Sequence, residues 1–214
     1  MCKRAIRYAI LDVDGVIIKH KSSWQYIHSL LGTQKIASIH REAALERKII
    51  DYRDWAFVDV FLWRGSYKCD LYLSSDDLVP GAIELLRLLN RNRVKIFMVS
   101  GGLELAYELV RDYVDLYISN RLIYKNGRVF SVRVNVCSKD CIINVFERAF
   151  NIDWDRTLAI GDGSIDLPFI SRARYSIAYN PVDDDVAKIA KFVVYGRDMY
   201  PVLSIVECLL DKTL

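Results

Sequence analysis

Ala5-Ile6-Arg7-Tyr8-Ala9-Ile10-Leu11-Asp12-Val13-Asp14-Gly15-Val16 decides how this chain folds. An apolar, β-prone run stops on two carboxylates one residue apart, and a glycine follows. A near-continuous apolar run of this length fits a strand buried on both faces. Parallel sheets bind ligands beyond the C-terminal ends of their strands, which puts Asp12 and Asp14 at a candidate site. Two carboxylates this close repel each other and call for a cation or a shared proton. A calcium-binding EF-hand does not fit, because its fifth, sixth and twelfth positions would be Val16, Ile17 and Ser23, with no helix before them. By itself, an ordinary Asp-rich turn reads equally well.

The same design repeats outward. Apolar runs over residues 94–99, 117–119, 157–160, 175–178 and 192–195 alternate with helical patterns. Pro80-Gly81 opens a stretch with Ile83, Leu85, Leu86, Leu88 and Leu89 at helical spacing. Residues 103–113 place Leu103, Ala106, Leu109, Val110 and Tyr113 on one face. Residues 140–150 do so with Ile142, Val145, Phe146 and Ala149, and residues 201–210 close the chain. This alternation predicts an α/β fold, a Rossmann-like parallel sheet with helices on both faces. Two stretches break the pattern. Residues 17–79 read mostly helical. Ser22 or Ser23 caps residues 24–31, Gly32 ends them, and Asp51 caps a helix with Trp55, Val58 and Leu62 on one face. The expected division is a core of residues 1–16 and 80–214 with a helical cap of roughly 60 residues, 17–79, inserted after the first strand. In residues 121–136, Asn126-Gly127 signals a type I′ hairpin.

Composition sets limits. The 214 residues are 52% hydrophobic and 27% charged, which excludes a disordered chain and suits one large domain or a domain with an insert. Lys+Arg is 30 against Asp+Glu 27, and a net charge of +3 gives no electrostatic reason to expect a nucleic-acid partner. No apolar run approaches the ~20 residues of a membrane span. The first apolar stretch is interrupted by Arg7, stops at Asp12 and has no small-residue cleavage pattern, so neither a signal peptide nor a membrane partner is expected, and the cytoplasm is the expected location. Five cysteines, Cys2, Cys69, Cys137, Cys141 and Cys208, form no CxxC pair. Neither a zinc knuckle nor a disulfide framework follows, and buried thiols are expected. Cys137 and Cys141 approach each other only if one helix carries both.

Three further motifs stand at strand ends or helix starts. Val99-Ser100-Gly101-Gly102 precedes a helical stretch, and a serine beside glycine N–H groups at a helix N-terminus suits an anion. An N-cap with a tight turn explains it as well. Lys139, in Cys137-Ser138-Lys139-Asp140, reads alone as a solvated lysine or as a partner for phosphate oxygens. Ile160-Gly161-Asp162-Gly163-Ser164-Ile165-Asp166-Leu167-Pro168 adds two carboxylates at a strand end. It lacks the third glycine of a dinucleotide loop.

Taken in order, DxDG, SGG, Lys and GDGxxD resemble the motif series of the haloacid dehalogenase superfamily, and within it the phosphoserine-phosphatase-like branch. Ile177-Ala178-Tyr179-Asn180-Pro181 is similar to the family's strand after the last motif, and the resemblance extends along the whole chain. It implies a phosphatase hydrolysing a phosphomonoester of a small metabolite. Asp12 would be the nucleophile that forms an aspartyl-phosphate, and Asp14 the general acid and base. Mg²⁺ would be held by Asp12, Asp162 and the Asp14 carbonyl, with Asp166 supporting from behind. Ser100 and Gly101 would grip the phosphate, and Lys139 would balance its charge. A phosphotransferase, or a non-catalytic phospho-ligand-binding or regulatory protein on the same fold, are the alternatives.

The chain departs from that branch in two places. Phosphoserine phosphatases typically carry a Glu shortly after the first motif. Here Ile17-Ile18-Lys19-His20-Lys21-Ser22-Ser23-Trp24 has no acid, and Lys21 would repel an amino group. The Asn usual before the second Asp of the last motif is Ile165. Both changes weigh against phosphoserine, and a basic cap entrance suits an anionic substrate. A solvated loop over Lys19, His20 and Lys21 remains the plainer reading. Trp24, Tyr26, Tyr52, Trp55 and Trp63 are expected to fill the cap core, with one or two reaching substrate. His28 and His40 are expected at the surface or in ordinary helix contacts.

Overall fold

A computed structural model describes residues 6–211. Seven strands form one sheet: β1 (Tyr8–Leu11), β2 (Lys95–Leu103), β3 (Leu116–Lys125), β4 (Arg128–Arg133), β5 (Thr157–Gly161), β6 (Tyr175–Tyr179) and β7 (Phe192–Val194). Their spatial order is β4-β3-β2-β1-β5-β6-β7, with every neighbouring pair parallel except the antiparallel β3–β4 hairpin. β1 lies in the middle, and the order reverses on either side of it, so Asp12 and Asp14 leave the sheet at its switch point.

Successive side chains of a strand point to opposite faces, and the core divides accordingly. Ala9, Leu11, Ile96, Met98, Leu158 and Ile160 face α4 (Ala82–Arg91) and α9 (Tyr200–Asp211). Tyr8, Ile10, Phe97, Val99 and Ala159 face α6 (Asp140–Val145), α7 (Leu167–Ile170) and α8 (Asp184–Ile189). Helices thus cover both faces, as the alternation predicts.

Between β1 and β2 the chain builds α1 (Ser23–Leu31), α2 (Gln34–Arg41) and α3 (Tyr52–Trp63), with a π-helical turn at Glu42–Glu46. Ser22 caps α1 by accepting from Gln25 N, Gly32 ends it, and Asp51 caps α3 through Asp54 N. A third core joins these helices to the hairpin: Trp24, Ile27, Trp55, Val60 and Trp63 pack on Leu103, Leu122, Val129 and Val132. Asn126 and Gly127 both have positive φ, as the hairpin signal requires. Among the described residues no helix is long and apolar enough to cross a membrane.

Several details differ from the sequence reading. β1 begins at Tyr8, and Ala5 and Cys2 lie outside the described residues. β2 ends through Ser100, Gly101 and Gly102, as expected, but runs on to pair Leu103 with Asn120 across a bulge, and a 3₁₀ turn in place of an α-helix follows it. The expected helix over 103–113 shrinks to a 3₁₀ turn (Glu104–Ala106) and α5 (Tyr107–Val110). The Glu104 carboxylate, accepting from Leu122 N at 3.0 Å through each oxygen, ties that turn to β3. Residues 140–150 form α6 and a wider π turn (Phe146–Phe150); the change of pitch leaves Ile142, Ile143 and Phe146 inside and Val145 outside. α3 buries Trp55, Ala56, Asp59, Val60 and Trp63, while Val58 is exposed. Asp59 sets that rotation. It binds His28 Nε2 at 3.0 Å and His40 Nδ1 at 2.7 Å, and Trp63 Nε1 donates to His28 Nδ1 at 3.1 Å. His28 is therefore a buried strut between α1 and α3 and not a surface residue. Cys69, Cys137, Cys141 and Cys208 are free and exposed, not buried. Cys137 precedes α6, so the shared-helix condition fails.

Candidate active site

Asp12 continues β1 by donating its N–H to Ile160 O at 2.9 Å, and its carboxylate emerges beside the end of β5. Lys139, at the start of α6, is 2% exposed and is not a solvated lysine. Its ammonium donates to Asp12 Oδ1 at 2.6 Å and to Asp166 Oδ1. Asp166 Oδ2 accepts from Asp162 N at 3.0 Å and Gly163 N at 3.2 Å, so the GDGxxD loop is closed by its own last carboxylate. Burial and the neighbouring Asp166 push Asp12 well above the usual carboxylate range, and Lys139 pulls it back. Burial also disfavours the Lys139 charge, but Asp12 and Asp166 outweigh it and hold the ammonium above its ordinary value.

Asp14 lives in a different setting. Its Oδ2 accepts from Ser23 N at 2.6 Å and from Ser23 Oγ at 2.8 Å, and its Oδ1 is buried with no partner. Burial raises this carboxyl to about 6, against the two Ser23 bonds that lower it. Ser23 Oγ in turn accepts from Leu103 N at 2.7 Å, joining α1, the end of β2 and Asp14 in one knot. Only glycine fits at 102, because a Cβ there would come within 3.0 Å of the Asp14 carboxylate and Ser23 Oγ.

The second motif is fixed from three sides. Ser100 Oγ accepts from Gly102 N at 2.9 Å. The Gly101 carbonyl accepts from Trp24 Nε1 at 3.2 Å, Tyr52 OH at 2.6 Å and Asn120 Nδ2 at 2.8 Å. Asn120 is wholly buried and also takes Asn135 N and Val136 N on its Oδ1, so it pins the loop before Lys139 to SGG. Ser23 and Asn120 escaped the sequence reading as site residues, whereas Trp24 and Tyr52 are among the aromatics of which one or two are expected to reach it. Asn120 left a trace there, a polar residue at the end of an apolar strand.

Asp12, Asp162 and Asp166 each present a carboxylate oxygen to one cluster, with the three oxygens within 4.8 Å of one another. All three are buried. Burial raises Asp162 as well, although Lys21 Nζ donates to its Oδ2 at 2.6 Å. Four carboxylates here face two ammonium groups, Lys21 and Lys139. The formal deficit of two positive charges and the all-oxygen donor set fit a hard divalent cation such as Mg²⁺.

These strand-end motifs match a haloacid dehalogenase-like hydrolase family model over residues 6–174. The chain belongs to the haloacid dehalogenase-like hydrolase family. Its place in the phosphoserine-phosphatase-like branch follows from relatives of that kind. It is 27% identical over 217 aligned residues to a phosphoserine phosphatase of Lactococcus lactis, covering 95% of this chain and 96% of the relative. It is 26% identical over 201 residues to one of Streptomyces coelicolor, covering 88% of this chain but 48% of the relative, about half its length. Among solved structures, a phospho-aspartyl intermediate analogue of phosphoserine phosphatase superposes with a TM-score of 0.75 at 20% identity, covering 95% of this chain and 99% of that one. That likeness establishes the fold of this haloacid dehalogenase-like hydrolase.

Proposed function

We propose that the chain is a Mg²⁺-dependent phosphatase that hydrolyses a phosphomonoester of a small metabolite through an aspartyl-phosphate on Asp12. The observation that carries this reading is the different partners of two neighbouring buried carboxyls. Asp12 is locked against the Lys139 ammonium at 2.6 Å, whereas Asp14 is held at about 6 by burial, with Ser23 fixing its orientation. The Lys139 ammonium favours the Asp12 anion that attack requires, against burial and Asp166, while Asp14 can hold a proton near neutral pH.

In the first step the Asp12 carboxylate forms a bond to phosphorus as the ester oxygen leaves, and Asp14 gives that oxygen its proton. In the second, the Asp14 carboxylate takes a proton from water, and the resulting hydroxide displaces phosphate from Asp12, restoring both groups. Ser100 and the Gly101 backbone would grip the phosphoryl oxygens, and Lys139 would offset their charge. Lys139 also keeps Asp12 from rotating out of line. Asp12, Asp162 and the Asp14 carbonyl would hold Mg²⁺, with Asp166 supporting from behind; when bound, the ion neutralises the carboxylates and polarises the phosphoryl oxygens.

The helices of residues 17–79 act as a cap in this reading, because Ser23, Trp24 and Tyr52 all reach the reacting end of the sheet. The test is hydrolysis of p-nitrophenyl phosphate with Mg²⁺, with EDTA, and by Asp12→Asn. Magnesium-dependent turnover that the variant loses supports the reading. Turnover that survives in Asp12→Asn overturns the nucleophile assignment.

A further inference from the structure

We infer that Lys21 is a specificity-determining residue: its ammonium, at the mouth of the carboxylate cluster, selects phosphomonoesters that carry a second anionic group and rejects those with an amino group there. This rests on the phosphatase reading above and names its substrate class.

The turn after the first motif sorts three basic neighbours that look alike in sequence. Lys19 Nζ donates to the Asp76 carbonyl, and His20 Nε2 meets Asp77 Oδ1 at 2.7 Å, so both turn outward to residues 74–78. Lys21 alone turns inward, to Asp162 Oδ2 at 2.6 Å and the Asn180 carbonyl at 3.0 Å. The backbone is shaped for this. Gly15 N donates to His20 O at 2.7 Å, which folds the turn back on itself, and Gly15 has φ +75. A Cβ at Gly15 would come within 3.0 Å of the Lys21 side chain and of Asp162, so Lys21 lies across bare backbone.

An ammonium has three protons. Lys21 places two of them on protein oxygens, and its side chain is still 44% exposed. Lys139, the other cation of the site, is buried between Asp12 and Asp166. Lys21 is therefore the solvent-exposed cation of the site, open to the part of a ligand that lies beyond the phosphoryl group. Residues 17–24 supply no carboxylate to offset it or to greet a substrate amine. Ile165, exposed and with its Cδ1 within 3.5 Å of where a Gly101 Cβ would stand, adds an apolar neighbour that offers an amine nothing. A carboxylate or a second phosphate on the leaving group meets complementary charge, and an alkylammonium meets repulsion.

The experiment compares kcat/KM for four matched esters: propyl phosphate, 3-aminopropyl phosphate, 3-phosphooxypropanoate and propane-1,3-diyl bisphosphate. It uses the wild type, Lys21→Met and Lys21→Glu. The wild type is expected to favour the anionic tails over the aminopropyl tail by roughly 10–100-fold, the span of one charge pair in a half-open site. The preference should collapse in Lys21→Met and invert in Lys21→Glu, and the two anionic esters show whether carboxylate or phosphate is the better fit. A wild-type preference for the amine, or a preference that Lys21→Glu leaves unchanged, overturns the assignment while the phosphatase reading stands. Hydrolysis of none of the four overturns the phosphatase reading. Calorimetric binding of the same esters to Asp12→Asn, with and without the Lys21 substitutions, then decides the charge preference by itself.

Discussion

Replacing Lys139 by Met tests whether the cluster is held together by charge. The substitution keeps the chain's volume and removes an ammonium whose side chain is 1% exposed, between carboxylates that are 5% and 3% exposed. Asp12 and Asp166 would then face each other in a buried site with no cation between them. Taking one partner from a buried ion pair costs about 3–5 kcal/mol. For a chain of this size each kcal/mol moves Tm by ~2–4 °C, so the expected loss is about 6–20 °C at pH 8. The variant can recover by protonating Asp12, whose folded value already lies above its unfolded one of about 3.9. A carboxyl raised in the folded state costs nothing below the unfolded value. The cost builds as pH rises from there through the folded value and is complete above it. The gap between wild type and variant should therefore be small near pH 4 and widen as the pH rises to 8. The Lys139 contribution in the wild type is constant over this window, because a raised lysine loses its stabilisation only above its unfolded value of about 10.4. Thermal unfolding by circular dichroism without metal, from pH 4 to pH 8, reads all of this. A variant within about 2 °C of wild type at pH 8 would refute the charge argument, since even 1 kcal/mol shifts Tm by that much.

Asp14→Asn should be inactive yet stabilise the metal-free protein by up to ~3 kcal/mol. Asn still accepts from Ser23, and the cost of ionising a carboxyl held at about 6, which sets in above about 4, disappears; denaturant titration at pH 8 measures it. Ser23→Ala strands Leu103 N and removes one bond from Asp14, with an expected loss of ~1–3 kcal/mol. Because the Ser23 bonds lower Asp14, the Ser23→Ala pH–rate profile should also shift upward, which distinguishes it from a merely less stable protein. Adding Mg²⁺ should raise Tm by mass action, and Asp162→Asn should blunt that shift. An equal Mg²⁺ shift in the variant would remove Asp162 from the cluster.

The strands were legible because burial on both faces leaves them no choice but apolar residues, as residues 157–160 and 175–178 illustrate. The four motifs were legible because strand ends, sharp turns and paired carboxylates leave a short, local trace. Tertiary contacts left no such trace. β2 runs on past Ser100 to Leu103 by pairing with Asn120. Lys139 looks like a surface lysine until Asp12 and Asp166, far off in sequence, close on it. Lys19, His20 and Lys21 form one basic stretch in sequence, and only the turn at Gly15 separates the residue that faces the site from the two that do not. The Trp55–Trp63 face of α3 was half visible, because its rotation depends on Asp59 reaching two histidines from other elements.

The third core has a consequence for synthesis. Trp24, Trp55 and Trp63 are made early, but the hairpin residues that cover them, Leu122, Val129 and Val132, emerge from the ribosome some distance later. Backbone bonds tell the same story: Gly65 N to Val129 O, Val129 N to Ser66 O, and Lys68 N to Gly127 O all wait for β4. A nascent chain that ends before residue 116 carries the helices without their partner and presents tryptophan-rich surface to whatever is nearby. The helical segment is thus no independent module that could be grafted or expressed by itself. It matures only when the far edge of the sheet has been made.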